Sequence, residues 1–311
     1  MKVLITGSGG FIGCHLARLL QVRGHVVFGL DTGHALVPEW LRDERRRTSS
    51  APEIRCDVRN RDSLAAAVAS IAPDTVVHLA AIAGVAGAEA DPRAYSEVNV
   101  KGVENLICAC LDSNVRRIVH ASSSSVYGEV DGAVSEDKAL NPLGQYGLTK
   151  VLAERLLENI AEKGDMSVLI LRPFSVIGPM GRPDMAPWRF AEKLMKSEPI
   201  PIHEGASRDF TSVSDIANAF ALAAEASCEG HHAVNVGGGE PRSAVELANE
   251  IARGLGRECV AKPHPLPAYM PRSTHADISK AARLLGWVPK KSFADAVADF
   301  SHWYLRSSAW R

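Results

Sequence analysis

In the first half of the chain, apolar positions gather in short runs bounded by glycine, proline or charge, and between the runs they recur at helical spacing. The runs at residues 2–6, 26–31, 53–56, 75–79, 116–121 and 167–172 include β-branched residues and are predicted strands. The stretches between them are predicted helices, one ending near Val22 and another covering 145–163. Apolar strands alternating with helices of about 10–20 residues mean βαβ crossovers, hence a doubly wound parallel α/β sheet covered on both faces. After Arg172 the texture changes. Pro173, Pro179, Pro183, Pro187, Pro199 and Pro201, and later Pro263, Pro265, Pro267 and Pro271, mark loops, interrupted by helical patterns at 214–225, 243–255 and 293–305. Two lobes are expected: residues 1–172, with 209–236 returning to them, and a smaller lobe made mainly from 173–311.

Composition narrows the partner. The 311 residues carry 35 basic and 36 acidic side chains, a formal charge of −1 without a long like-charge block, so neither nucleic acid nor an anionic membrane surface is recruited. A small molecule is the expected partner. Cys14, Cys56, Cys108, Cys110, Cys228 and Cys259 lack paired spacing, which fits reduced thiols and a cytoplasmic location better than disulfides or a metal site. No apolar run approaches ~18 residues, and the apolar start ahead of Gly7 is too short for a secretory signal core.

The first chemical motif is Thr6-Gly7-Ser8-Gly9-Gly10-Phe11-Ile12-Gly13, placed where a strand turns into a helix. The spacing of Gly7, Gly10 and Gly13 lets the turn close, brings backbone N–H groups to a pyrophosphate and packs helix on strand. Asp31 ends the second strand, where its carboxylate would accept from both ribose hydroxyls of a dinucleotide and repel a 2′-phosphate. Thr32-Gly33 bring no arginine there, so NAD is expected rather than NADP. Arg45-Arg46-Arg47 reads as a solvated loop face. Asp57 reaches towards the adenine edge or, alternatively, a nearby Asp caps the following helix.

The second constellation is Ser122-Ser123-Ser124-Ser125-Val126-Tyr127 at the end of the fifth strand, followed by Tyr146-Gly147-Leu148-Thr149-Lys150. Residues beyond the carboxyl ends of such strands face the ligand crevice. Tyr146 and Lys150, four apart, share one helix face. A phenol with a pKa near ~10 acts as a base near neutrality only if its phenolate is stabilised, which a neighbouring ammonium does.

With Gly-x-x-Gly-x-x-Gly, His78-Leu79-Ala80-Ala81, Asn99, the serine run, Tyr-x-x-x-Lys and Arg208-Asp209-Phe210 in this order, the chain resembles extended short-chain dehydrogenase/reductases, the nucleotide-sugar epimerases and dehydratases, over essentially its whole length. The resemblance implies NAD as cofactor, a nucleotide sugar as substrate and a homodimer built from helices near 92–113 and 145–163. It makes Tyr146 the general base, Lys150 the holder of the nicotinamide ribose, Asn99 a support for their helix, and Ser123 the partner of the reacting hydroxyl. It also places Phe11, Ile12, Asp57, Val58, Leu79, Ala80 and Ala81 against the cofactor. Relatives that dehydrate or decarboxylate carry an acid just before the Val-Tyr pair. Here Ser124 and Ser125 stand instead, as in simple 4-epimerases, and a hydroxyl cannot serve as that acid.

The stretch Gly181-Arg182-Pro183-Asp184-Met185-Ala186 is similar to UDP-glucuronate 4-epimerases, which implies that Arg182 and Ser175 hold the sugar carboxylate, as a guanidinium fork can. Arg208 resembles the family's diphosphate clamp. Departures exist: Ile82, Ala86, Gly87 and Ala88 replace polar or larger residues of uronate epimerases, and Pro267-Ala268-Tyr269-Met270 replaces Arg-x-Gly-Asp, leaving Arg272 as a substitute nucleotide contact. A neutral UDP-hexose or N-acetylhexosamine therefore remains an alternative substrate, and a non-catalytic dinucleotide-binding protein an alternative class. His231-His232 reads as a surface turn, and Trp303 and Tyr304 as core.

Overall fold

The central runs are largely apolar because both faces of these strands are covered; buried Thr6, Thr75, His78 and His120 are the polar exceptions. Val3, Leu4, Ile5, Val76, Val77, Ile118, Val119 and the run from Val168 to Leu171 are all inaccessible to solvent. The computed structural model describes residues 1–33, 37–164 and 166–307. In chain order it has β1 (Lys2–Thr6), α1 (Phe11–Val22), β2 (Val26–Asp31), α2 (Glu39–Thr48), β3 (Glu53–Arg55), α3 (Arg61–Ile71) and β4 (Thr75–His78). Then follow α4 (Val85–Ala90), α5 (Pro92–Ser96), a π-helical turn (Glu97–Lys101), α6 (Gly102–Asp112), β5 (Arg117–Ala121), a 3-10 turn (Ser124–Val126), α7 (Gln145–Glu162) and β6 (Ser167–Pro173).

These six strands and β10 (His231–Val236) form one parallel sheet in the order β10-β6-β5-β4-β1-β2-β3. Strand order reverses between β1 and β4, where a crevice opens at the carboxyl ends. One face packs on α1 and on α9 (Val213–Glu225), the other on α3, α6 and α7. The predicted strands agree with the observed ones to within a residue at each end. The helical region 92–113 is interrupted by the π-turn, which turns Asn99 inward, to 1% exposure.

The remaining elements are β7 (Ser175–Ile177), α8 (Ala186–Met195), β8 (Ile200–His203), β9 (Ser207–Ser212), β11 (Pro241–Ser243), α10 (Ala244–Leu255), β12 (Ala261–His264), α11 (Ser279–Leu285) and α12 (Phe293–Arg306). β11-β9-β7 form a small sheet, and β12 pairs with β8. Thus α9 and β10 join the large sheet, whereas β9, which opens the 209–236 segment, stays with the small one. Trp303 and Tyr304 pack in an aromatic group with Trp40, Trp188 and Phe300. His231 and His232 lie on the edge strand β10 rather than in a turn, their backbones paired with Val168 and Leu169.

A further expectation is corrected. Arg45-Arg46-Arg47 is not a solvated loop face: it belongs to α2, and Arg45 is 2% exposed. Successive helix positions turn by about 100°, so three neighbouring arginines cannot all face water on a helix laid against the protein. Trp40 of α2 stacks on Trp303 at 6.4 Å, so this helix also packs on α12.

Candidate active site

The site begins at the turn between β1 and α1. Gly7 has φ +73°, and a Cβ there would lie 2.7 Å from the Ala80 nitrogen, so the turn presses against the end of β4. A Cβ on Gly13 would lie 2.2 Å from the Gly7 carbonyl. Gly10 caps α1 without a side-chain bond, and no acidic residue stands in the first turn. The N-terminal N–H groups, with Phe11 and Ile12 opening the helix, thus face an uncrowded approach suited to a pyrophosphate. The Asp31 carboxylate accepts from Gly9 N–H at 3.1 Å and Gly33 N–H at 2.9 Å, which aims it across the turn where a ribose would lie. These residues fit NAD.

Leu79 and Ala80 anchor to the same turn, Leu79 N–H donating to the Thr6 carbonyl at 3.0 Å and Ala80 N–H to the Thr6 hydroxyl at 3.3 Å. Ala81 follows, half-buried. Val58 is buried against Gly102. Asp57 is held by Arg59, whose Nη2 lies 2.6 Å from Oδ2, and the cap of α3 is Asn60, not Asp57. His78 is buried beneath this turn, its imidazole held neutral by burial with a pKa of about 3 and bonded to the Thr6 hydroxyl at 2.6 Å.

Across the crevice, α7 carries the phenol and the ammonium. Lys150 is 3% exposed, donates to the Ala121 carbonyl at 2.7 Å and lies 5.9 Å from the centre of the Tyr146 ring. Burial lowers its pKa to about 8, the Glu154 carboxylate opposing that fall. Burial raises the Tyr146 phenol, while Arg182 and a hydrogen bond with Ser123 pull it down. Ser123 also accepts from Ser125 N–H at 3.1 Å, so the serines are ordered by their own 3-10 turn. Ser124 opens that turn, half-buried.

Arg182 is engaged within the protein. It donates to the Ala83 carbonyl at 2.6 Å and, through Nε, to Asp184 at 2.9 Å. Burial works against its charge, but the Asp184 carboxylate raises its pKa overall. Ser175 sits half-buried on β7 and makes no hydrogen bond with Arg182 among the described residues. Arg208 and Arg272 form a separate corner. Arg208 donates to the carbonyls of Ser207 at 2.7 Å and Arg272 at 3.0 Å, and Glu129 accepts from Arg272 N–H at 2.9 Å. Asp209 beside them is structural, accepting from Gly239 and Ala276 N–H at 3.1 and 3.0 Å.

Two contributors went unread in the sequence. Tyr95 stands edge-on to Tyr146, centroids 6.3 Å apart, with its hydroxyl on the Ala83 carbonyl at 3.3 Å. Glu154, four residues beyond Lys150, accepts from buried Ser122 and pairs with Arg172 at 2.6 Å. Arg172 also donates to Tyr127, whose hydroxyl donates to Asn235. The Lys150–Glu154 spacing was a readable signal; the Arg172 partnership was not.

Residues 3–237 match the NAD dependent epimerase/dehydratase family. The chain belongs to that family. It is therefore an NAD-dependent enzyme. An uncharacterised UDP-glucose epimerase, YtcB, of Bacillus subtilis strain 168 is 35% identical over 305 residues, covering 96% of both chains. The UDP-glucuronic acid 4-epimerase of Bacillus cereus, solved with UDP-glucuronic acid and NAD, superposes with a TM-score of 0.91 at 33% identity, covering 98% of this chain and 99% of that one. MoeE5, solved with UDP-glucuronic acid and NAD, gives 0.89 at 36% identity, with the same coverage. No helix among the described residues is long and apolar enough to cross a membrane.

Proposed function

We propose that the protein inverts carbon 4 of a UDP-hexuronate, interconverting UDP-glucuronate and UDP-galacturonate. The coarser activity, NAD-dependent 4-epimerisation of a UDP-sugar, rests on the family and on relatives bearing that name. The finer reading rests on Arg182, whose guanidinium shares the Ala83 carbonyl with Tyr95, edge-on to the Tyr146 ring, and acts to lower the phenol's pKa. A planar fork is suited to a carboxylate on the sugar ring.

Tyr146, as phenolate, takes the proton of the 4-hydroxyl while Ser123 holds that oxygen. The β1–α1 turn and Asp31 would hold NAD, which would supply reversible uptake of the carbon-4 hydride, and inversion would follow if the keto sugar turned its opposite face to the cofactor before the hydride came back. Lys150 and Arg182 keep positive charge near the phenolate, and Asn99 steadies the helix that carries it. Arg182, with Ser175, Ser124 and Ser125, holds the carboxylate, which guards a β-keto acid against loss of carbon dioxide. Arg208 and Arg272 serve the nucleotide diphosphate. Residues 1–172 with 209–236 form the cofactor lobe, and the rest mainly the sugar lobe. Exposed Leu111, Leu148 and Leu152 on α6 and α7 support pairing with a second copy through these helices.

A second reading, a neutral UDP-hexose, is favoured by the Asp184 carboxylate, which already neutralises Arg182, and by small Ala86, Gly87 and Ala88 beneath the site. Purified protein is incubated without added cofactor with UDP-glucuronate, UDP-glucose and UDP-N-acetylglucosamine, and the products are resolved. Uronate conversion supports the first reading; conversion of the neutral sugars alone rejects it.

A further inference from the structure

Arg45 takes no part in the site described above, yet it is 2% exposed. Its partners are main-chain carbonyls: Nε and Nη2 donate to the Met180 oxygen at 3.1 and 2.8 Å, and Nη2 also to the Gly181 oxygen at 3.2 Å. The next residue is Arg182. Met180 holds φ at +61°, a left-handed conformation that a side-chain-bearing residue keeps only when its surroundings enforce it. Burying a cation among carbonyls is costly, and an apolar side chain would fill the space more cheaply. What a guanidinium adds is a planar fork that fixes two successive carbonyls at once.

The same helix also touches the cofactor side. Arg42, one turn earlier, donates to the Gly33 carbonyl at 3.0 Å, and Gly33 N–H holds the Asp31 carboxylate. Helix α2 thus ties the turn after Asp31 to the segment leading into Arg182. We propose that Arg45 is a positioning residue for the sugar site: by fixing the backbone at Met180 and Gly181 it sets where the Arg182 guanidinium stands against Tyr146. This rests on the reading of Arg182 as a sugar-site residue.

The groups that bear on the Tyr146 phenol are Arg182, Ser123 and Tyr95, with Lys150 beside the ring; Arg45 acts through the first. The test is the pH profile of kcat for Arg45→Met, Arg182→Ala and the double variant, with whichever UDP-sugar the wild type converts and with NAD content measured. Withdrawing a positive charge from the phenol raises its pKa, so each single variant should move the acid limb upward by about one pH unit. The double variant should move it no further than Arg182→Ala alone. An unmoved limb in folded, NAD-loaded Arg45→Met, or shifts that add in the double variant, would overturn the proposal. Should Arg45→Met fail to fold, Arg45→Lys, which keeps the charge and loses the fork, is read by the same criteria. Wild-type substrate preference, from the same assay, judges the uronate reading separately: conversion of neutral sugars alone rejects that reading while the acid limb still tests Arg45.

Discussion

The Asn99 amide donates to the Thr149 hydroxyl at 3.1 Å across fifty residues of sequence, and that hydroxyl donates to the Tyr146 carbonyl at 2.8 Å. Asn99 also accepts from Ile82 N–H at 2.9 Å and donates to the Ile82 carbonyl at 3.0 Å. One buried amide therefore joins the segment after β4, the π-turn and the helix of the proposed base. Asn99→Ala strands several buried polar groups, each costing about 1–3 kcal/mol. Urea denaturation should show a loss of about 2–4 kcal/mol, and kcat should fall more than KM rises. An unchanged denaturation midpoint would contradict this account.

Lys150 is held charged at a cost. Its pKa falls from 10.5 to about 8 on burial, a difference worth on the order of 3 kcal/mol. The folded pKa is depressed, so the penalty is fully present below pH 8 and is relieved as pH rises from 8 towards 10.5, where the unfolded chain also loses its proton. Lys150→Met should abolish turnover yet raise the melting temperature of NAD-free protein at pH 7. That gain should shrink by pH 10. A destabilised variant at pH 7, or a gain independent of pH, refutes it.

For Arg182→Ala, the uronate reading gives a selective loss. A charge-assisted contact is worth about 1.5–3 kcal/mol, so kcat/KM for UDP-glucuronate should fall roughly 10–100-fold. UDP-glucose turnover should fall only as far as the Tyr146 phenol becomes harder to ionise. Steady-state kinetics on both substrates at two pH values separates these effects; equal losses on both at the higher pH would remove the carboxylate role.

Glu154 and Arg172 are both nearly inaccessible, their side chains 5% and 6% exposed. Glu154→Ala leaves a buried cation without its carboxylate, and chemical denaturation should register a loss of about 3–5 kcal/mol. Glu154→Gln, which keeps the shape and part of the hydrogen bonding, should lose less. Equal stability of Glu154→Ala and wild type would show that water or another group replaces the carboxylate.

Much of this architecture was legible along the chain. The β-branched runs, the glycine spacing and Asp31 at a strand end are local patterns, and short-range sterics make them strand, turn and ribose-facing carboxylate in nearly any context. Tyr146 and Lys150 were legible too, because helix periodicity alone puts them on one face. Arg45, in a run of three arginines, carries a signal that misleads, because charge alone points to a solvated face, and nothing along residues 92–113 marks the π-helical turn at Glu97–Lys101.

The sequence by itself determined a parallel sheet with a dinucleotide turn and a phenol–ammonium pair, since these depend on neighbours a few residues apart. Only the tertiary structure decided that Arg45 is buried on the Met180 and Gly181 carbonyls, that Arg182 stands by Tyr146 while paired with Asp184, and that Asn99 reaches Thr149. The Asn99–Thr149, Arg182–Ala83 and Arg45–Gly181 contacts join positions 50, 99 and 136 residues apart. Long-range hydrogen bonds follow from how packed elements meet, and no periodicity in the chain encodes where two surfaces touch.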